Sequence, residues 1–311
     1  MFTSRSTWLP SLVVYEREAT GAQREVRRYL ELCTMKLGRA ANQMRVLDFG
    51  CGAGGATLEL RKLGYQAYGV DIDRHNVARG MERLHEAGFD EADILVAVDE
   101  HDGIPFPERS FDFVFSQTVL EHVSDLDRTA ADLTRMMAAG GYGFHRFPGH
   151  RTLVEPHYLM PFVHWLPKND TRRLAMLGWS RIGVGKRHPE LPESARRDQA
   201  ERWFEYSVGH TFYRSTREAV DSLRRAGQDV CVVTSNHRRL QRSKPLSTAL
   251  RSPHVRRAVG WGIATFVTND LLTRTPGHQG SESHELLLGD WRSEWLPALA
   301  VTDRDRERRT A

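Results

Sequence analysis

Ten residues, Val46-Leu47-Asp48-Phe49-Gly50-Cys51-Gly52-Ala53-Gly54-Gly55, carry the strongest chemical signal in the chain. An apolar run ends there in a cluster of glycines. Glycines at a strand-to-helix turn let the main chain approach a ligand where any Cβ would collide. Gly50, Gly52 and Gly55 satisfy the spacing GxGxxG, and Asp71 lies 21 positions beyond Gly50, where a dinucleotide-binding fold places a ribose carboxylate. On that spacing alone, a nicotinamide-dependent oxidoreductase is a legitimate reading. Two features speak against it. Asp48 stands two residues before the first glycine, at the end of an otherwise apolar strand. A carboxylate there repels a pyrophosphate but suits a ligand that carries an ammonium and a sulfonium. The run Tyr68-Gly69-Val70-Asp71-Ile72 then ends a second strand with an acid able to accept both ribose hydroxyls, beside an apolar residue, Ile72, able to pack on adenine.

The third feature is the stretch from Ile104 to Val123, IPFPERSFDFVFSQTVLEHV, followed by AAGG at 138–141, which has no role in hydride transfer. In order, VLDFGCGAGG, YGVDID, this stretch and a helix ending in GG resemble the small-molecule class I methyltransferases, type 11-like. That broad group acts on quinones, sterols, sugars and lipids. The resemblance spans residues 43–148, with Phe49 where an aliphatic residue is more usual and Ala53 where Thr or Ser is. It implies S-adenosyl-L-methionine as cofactor. It also implies that Asp48 and the backbone of Gly50, Cys51, Gly52 and Gly54 hold the methionine end, and that Asp71, with Ile72, holds the nucleoside. Asp99 or Glu100 would receive the adenine amino group, and Ser116 and Gln117 would line the methyl-transfer site. Asp112, in SFDFVFS, reads equally as a brace for the neighbouring loop.

Transfer from a sulfonium is an in-line displacement in which alignment and exclusion of water supply most of the rate. A hydroxyl acceptor also needs a base, and histidine suits neutral pH. Three candidates for catalysis emerge. His122, in VLEHV, is expected at the start of a helix and reads equally as a capping or packing residue. His157, in EPHYLMPFVHWLP, has Glu155 two residues before it, a carboxylate able to orient the ring. That segment is similar to stretches in bacterial methyltransferases associated with envelope glycans and natural products. Glu155, His157 and His164 match no metal-ligand spacing, so no metal is expected. The plain alternative is that Phe162, Trp165 and Leu166 bury the segment and its histidines are satisfied locally.

The elements that must position these residues alternate. Helical periodicity is expected over residues 17–39, 57–63, 74–87, 126–137 (stopped by Gly140 and Gly141), 215–226 and 255–272. Strands are expected over 44–49, 67–70, 94–98, 111–115, 142–147, 229–234 and 284–288. Such alternation argues for an α/β fold. We expect a Rossmann-like, seven-stranded, mostly parallel sheet with helices on both faces, and ligands at the carboxyl ends of the strands. The expected organisation is an N-terminal helical segment (1–42), the cofactor-binding core (43–148), an inserted, partly helical acceptor cap (149–210), a completion of the sheet (211–290) and a tail disordered at its end (291–311).

Composition sets the remaining bounds. The 311 residues are 40% hydrophobic and 27% charged, with a net charge of +4, which is ordinary globular composition. Cys33, Cys51 and Cys231 form neither a disulfide framework nor a zinc pattern. The first residues make a poor signal peptide, and the apolar run 258–267 is short of the ~20 residues of a spanning helix, so a cytoplasmic location is expected. Arginines concentrate after residue 170. They favour an anionic partner, or read as a solvated basic surface, and leave peripheral membrane contact open. The aromatic, proline-rich cap suggests a fairly large, partly apolar small-molecule acceptor. Basic and acidic residues alternate in RRDQAER, so nucleic acid is not expected as a partner. A third reading of the whole keeps the fold and pocket in a non-catalytic partner protein, although Asp48, the glycines and Asp71 speak against a decayed pocket. Oligomeric state is not legible.

Overall fold

The computed structural model describes residues 12–100, 102–150, 152–186, 192–233 and 268–277. Among these residues the chain forms seven strands and divides into two compact units.

The first unit comprises Met1–Pro105 with Phe111–Gln117. It contains α1 (Leu12–Leu37), β1 (Arg45–Phe49), α2 (Gly55–Lys62), β2 (Gln66–Asp71), α3 (Arg74–Glu86), β3 (Leu95–Ala97) and β4 (Phe111–Gln117). The strand pairs β1–β2, β1–β4 and β2–β3 are all parallel. In β4, Phe111 to Ser116 are buried without alternation, as expected of a parallel strand covered on both faces. On α1 the stripe Val26, Tyr29, Leu30 and Cys33 is buried, as helical spacing requires. Asp73 caps α3, accepting from the main-chain N–H groups of His75 and Asn76. Asp112 braces the start of this sheet. Its carboxylate accepts from Arg39 and, at 3.0 Å, from the backbone N–H of Arg45.

The second unit comprises Phe106–Ser110 with the residues from Thr118 onward. Its elements are α4 (Leu126–Met136), β5 (Met137–Pro148), α5 (Asp170–Arg181), α6 (Glu193–Gly209), α7 (Thr216–Arg225), β6 (Asp229–Val233) and β7 (Thr268–Arg274). Strand β7 runs antiparallel to both β5 and β6. Among the described residues no helix is long and apolar enough to cross a membrane.

Three expectations need correction here. Gly140 and Gly141 do not end a helix; they lie inside β5, which starts at Met137. Gly140 takes φ +75°, its N–H reaches the carbonyl of Pro276, and Gly141 accepts from Thr275. The glycines therefore serve a pairing with residues some 135 positions away, which local pattern cannot reveal. Residues 268–272, expected in a helix, belong to β7 instead. There Asp270, opposite Arg146 in the ladder, accepts two hydrogen bonds of 2.7 Å from that guanidinium. Finally, Phe162 and Trp165 stay substantially exposed. The core of this part of the chain is Tyr158, Met160, Val163, Met176 and Ala200, because Phe162 sits at φ +60° where the chain reverses after the bridge Val154–Pro161. The strand expected at 284–288, the rest of the 255–272 helix and the tail lie outside the described residues.

His145, on β5, is completely buried, and burial pushes its pKa down to about 4. The ring is neutral when folded, whereas an unfolded histidine gains a proton near pH 6.5. Its contribution is therefore held above pH 6.5 and lost as pH falls towards 4, a difference of about 3 kcal/mol at most. Urea unfolding of wild type and His145→Leu at pH 7 and pH 4.5 checks this: the wild type should lose the larger share of stability on acidification. Parallel losses in both proteins would show that His145 is not held neutral.

Candidate functional site

In the first unit the glycine segment connects β1 to α2. Gly50, Gly52 and Gly54 all take left-handed φ values, +78°, +52° and +66°, a region open to glycine and strained for other residues. The turn is tied down from three sides. The N–H groups of Gly50 and Cys51 both reach the carbonyl of Val70, and Gly54 N–H reaches that of Cys51. Asp71 supplies the third tie. Its Oδ2 accepts from Gly52 N–H at 2.7 Å and its Oδ1 from Asp73 N–H at 2.9 Å. Burial raises the pKa of Asp71 and these backbone hydrogen bonds oppose the rise.

Close approach explains further glycines that the motif does not include. A Cβ on Gly69, in β2, would come within 2.8 Å of both Cys51 and Leu95. One on Gly80, in α3, would lie 2.5 Å from Leu95 Cδ1 and 2.9 Å from the carbonyl carbon of Ala53. The loop therefore rests directly on α3, with Leu95 wedged between them.

Asp48 is buried and accepts from Thr57 Oγ1 at 3.1 Å. No cation pairs with it among the described residues. Burial pushes it up to about 7, against the Thr57 hydrogen bond and helped by the charge of Asp71. A carboxylate in this state gains when a cation arrives. Ile72 is an exposed apolar side chain one residue past β2. Ser116 is buried opposite Phe49, and Gln117 ends β4, half-buried. Asp99 and Glu100 are exposed just beyond β3. The carboxyl ends of four parallel strands thus bring these positions together. Thr57, Gly80 and Leu95 carry no signal in the motif and were not anticipated.

A second cluster forms in the other unit. Glu155 is fully buried and accepts four hydrogen bonds. Oε2 takes the main-chain N–H groups of His157 and Tyr158, each at 2.8 Å, and Oε1 takes His157 Nδ1 at 2.6 Å and the Tyr213 hydroxyl. Burial opposes charge on Glu155, but the bonds from His157 and Tyr213 outweigh it and hold the pKa below the usual carboxylate range. His157 Nε2 lies 3.1 Å from His122 Nε2, and His122 Nδ1 lies 2.6 Å from the carbonyl of His210. Burial lowers His122 to about 4, with the neighbouring His157 pushing the same way. His157 is also opposed by burial, yet Glu155 raises it. His122 does not start a helix: it sits in a turn four residues ahead of α4, whose cap is Asp125. Beside it Glu121 is 1% exposed, and burial raises it to about 8. His164 is buried, and its Nε2 lies 3.1 Å from Thr152 Oγ1. The sequence offered EPH as a pair. It gave no sign of Tyr213, 56 residues away.

A cavity of about 530 Å³ adjoins this cluster, lined by Trp165, Phe212 and Tyr213 and by Lys168, Arg172 and Arg214. These three cations direct N–H groups at main-chain carbonyls, of Val208, of Leu166 and of Ser124 respectively. The lining is aromatic and positive.

Comparison with known proteins bears on the segment that carries the glycine turn. Residues 47–144 match the family model of the methyltransferase domain. A sterol 4-C-methyltransferase of Caenorhabditis elegans is 28% identical over 101 residues, 32% of this chain and 30% of that one. A probable chloroplastic tocopherol O-methyltransferase of Oryza sativa subsp. japonica is 34% identical over 96 residues, 30% of this chain and 26% of that one. The chain thus spans about a third or less of the length of these relatives. Among solved structures, a putative sarcosine dimethylglycine methyltransferase from Galdieria sulphuraria aligns with a TM-score of 0.48 and 16% identity, over 84% of this chain and 88% of that one.

A matched pair of substitutions tests the close approach at Gly80. In a helix, alanine is favoured over glycine by about 1 kcal/mol. Gly178, in α5, has open space around it, so Gly178→Ala should raise the unfolding free energy by roughly 0.5–1 kcal/mol. Gly80→Ala should lower it by about 1–3 kcal/mol, the scale of overpacking. A stabilised Gly80→Ala protein would mean that α3 and the loop do not touch.

Proposed function

We propose, from the premise that residues 47–144 are a class I methyltransferase domain, that this chain transfers a methyl group from S-adenosyl-L-methionine to an oxygen of a small-molecule acceptor. The observation that carries the reading is a main-chain turn held open by Gly50, Gly52 and Gly54 at positive φ, lying between Asp48 and Asp71. Asp48, short of a partner, suits the cationic methionine end. Asp71 suits the ribose hydroxyls, with Ile72 exposed for adenine and Ser116 and Gln117 beside β1 for the methyl group. Asp99 and Glu100, past β3, are the acids we assign to the adenine amino group. The cofactor supplies an activated methyl on sulfur; the chain's part is to hold it, exclude water and deal with the acceptor's proton.

For the acceptor we favour an anionic, partly apolar glycan, lipid or natural product. The aromatic and cationic lining of the cavity beside Tyr213 supports this class. The His122–His157 pair, held by Glu155, is our candidate for taking the hydroxyl proton. A nicotinamide cofactor is disfavoured because Asp48 would face a pyrophosphate.

Calorimetric titration tests the cofactor half. S-adenosylhomocysteine should bind in the micromolar range and NAD should not. Binding should be tighter at pH 8 than at pH 6, because Asp48 loses its proton near pH 7. Asp71→Ala should weaken it by about 1–3 kcal/mol; binding of NAD alone would sink the reading. For the acceptor half, labelled methyl transfer to a panel of hydroxylated anionic compounds provides the assay. Glu155→Gln should cut turnover by at least about tenfold, at the low end of general acid–base effects, with affinity for S-adenosylhomocysteine unchanged. Full turnover in that variant would remove the cluster from the chemistry.

A further inference from the structure

We propose that Glu121, His122 and His157 bind a first-row divalent metal ion, zinc being the suitable probe. The ligand atoms of these three side chains lie within 4.8 Å of one another. It rests on the acceptor-side reading only for the ion's role. With both Nε2 atoms as ligands the imidazoles would not themselves take the proton, and the ion would instead lower the pKa of an acceptor hydroxyl at its open position.

The orientation of the two rings is the first argument. A histidine that ligates a metal through one nitrogen almost always donates the other N–H to a carboxylate or a main-chain carbonyl, which fixes tautomer and direction. Both arrangements are present. His157 Nδ1–H meets the Glu155 carboxylate at 2.6 Å, and His122 Nδ1–H meets the carbonyl of His210 at 2.6 Å. With both Nδ1 atoms committed as donors, the two Nε2 atoms point at each other, 3.1 Å apart. Two nitrogens at that separation, each about 2.1 Å from a shared ion, subtend roughly 95° at it. Without an ion, the contact is made only by a proton held between them.

The carboxylate is the second argument, and it is independent of the rings. Glu121 is 1% exposed, and among the described residues no other residue donates a well-formed hydrogen bond to either of its oxygens; only its own main-chain N–H approaches them. Buried carboxylates are normally surrounded by donors, as Glu155 is. Oε1 of Glu121 lies 3.9 Å from His122 Nε2, near the ~3.4 Å that separates two ligands of a tetrahedral ion. A divalent cation would supply the charge and contacts that Glu121 lacks. Two imidazoles and one carboxylate suit zinc, iron, cobalt or nickel. Three protein ligands leave a position for an oxygen from solvent or from the acceptor. Glu155 and Tyr213 then act as positioning residues for His157 rather than as ligands. The sequence spacing pointed to Glu155, His157 and His164 and matched nothing; the fold selects a different trio.

The test uses the full chain, stripped with EDTA and titrated with zinc chloride by calorimetry, with cobalt(II) as a spectroscopic substitute. One equivalent should bind in the micromolar range or tighter, the thermal midpoint should rise with zinc and fall back with EDTA, and cobalt should give visible ligand-field bands. Glu121→Gln and His157→Gln should each weaken zinc at least tenfold. Absence of stoichiometric binding to wild type would overturn the proposal, as would variants that fold and bind zinc like wild type. If either variant fails to fold, the wild-type midpoint and cobalt spectrum still decide. Neither readout involves methyl transfer. A failure here leaves the cofactor reading standing, and failure of S-adenosylhomocysteine to bind leaves this site standing.

Discussion

The Asp71 carboxylate is the constraint on which the glycine turn depends. One oxygen holds the N–H of Gly52, in the turn after β1, and the other holds the N–H of Asp73, at the entry to α3. Two turns from different strands are thereby fixed to one side chain. Each oxygen keeps lone-pair capacity for a further donor. Gly54, Gly69 and Gly80 all leave room for the same side chain, Leu95, so the turn is shaped by packing beneath it as well as by hydrogen bonds above. A preorganised turn loses little freedom when a ligand arrives.

Three buried carboxylates show how the number of donors decides charge. Glu155 accepts four hydrogen bonds, and its charge is favoured despite complete burial. Asp48 has one hydroxyl donor and rises to about 7. Glu121 has, among the described residues, only its own main-chain N–H nearby, and burial raises it to about 8. Desolvation is common to all three; what differs is the supply of N–H and O–H groups and the neighbouring charge. A saturated carboxylate orients its neighbours, as Glu155 does His157. An undersaturated one has capacity left for a charged ligand, and Asp48 and Glu121 are of this kind.

The second unit is organised by contacts between residues far apart in sequence. Arg146 and Asp270 join β5 to β7 through two parallel hydrogen bonds, and Asp270 is almost wholly buried. Such a pair is strongly destabilising to break, because either half alone is an uncompensated buried charge. Arg214 likewise gathers the carbonyls of Leu120, Phe212 and Ser124, drawing the turn that carries Glu121 and His122 towards the segment that carries Tyr213.

Local sequence by itself determined the alternating elements from β1 to β4, the glycine turn and the carboxylates flanking it. Each of these is written in neighbouring residues: glycines at positive φ, an acid at a strand end, apolar periodicity along α1. It also offered Glu155 and His157 as a pair, since two positions suffice to place them in one turn. Tertiary structure alone decided the rest. Gly140 and Gly141 became strand because residues 275–276 pair with them, and residues 268–272 became strand because β5 and β6 flank them on either side. His122 and Glu121 joined His157, and Tyr213 joined Glu155, only through closure of loops of 35 residues and more. Periodicity records which face of an element is buried. It does not record which distant side chain will share that burial, and here the sharing of Tyr213 and His157 with Glu155 holds that carboxyl's pKa down.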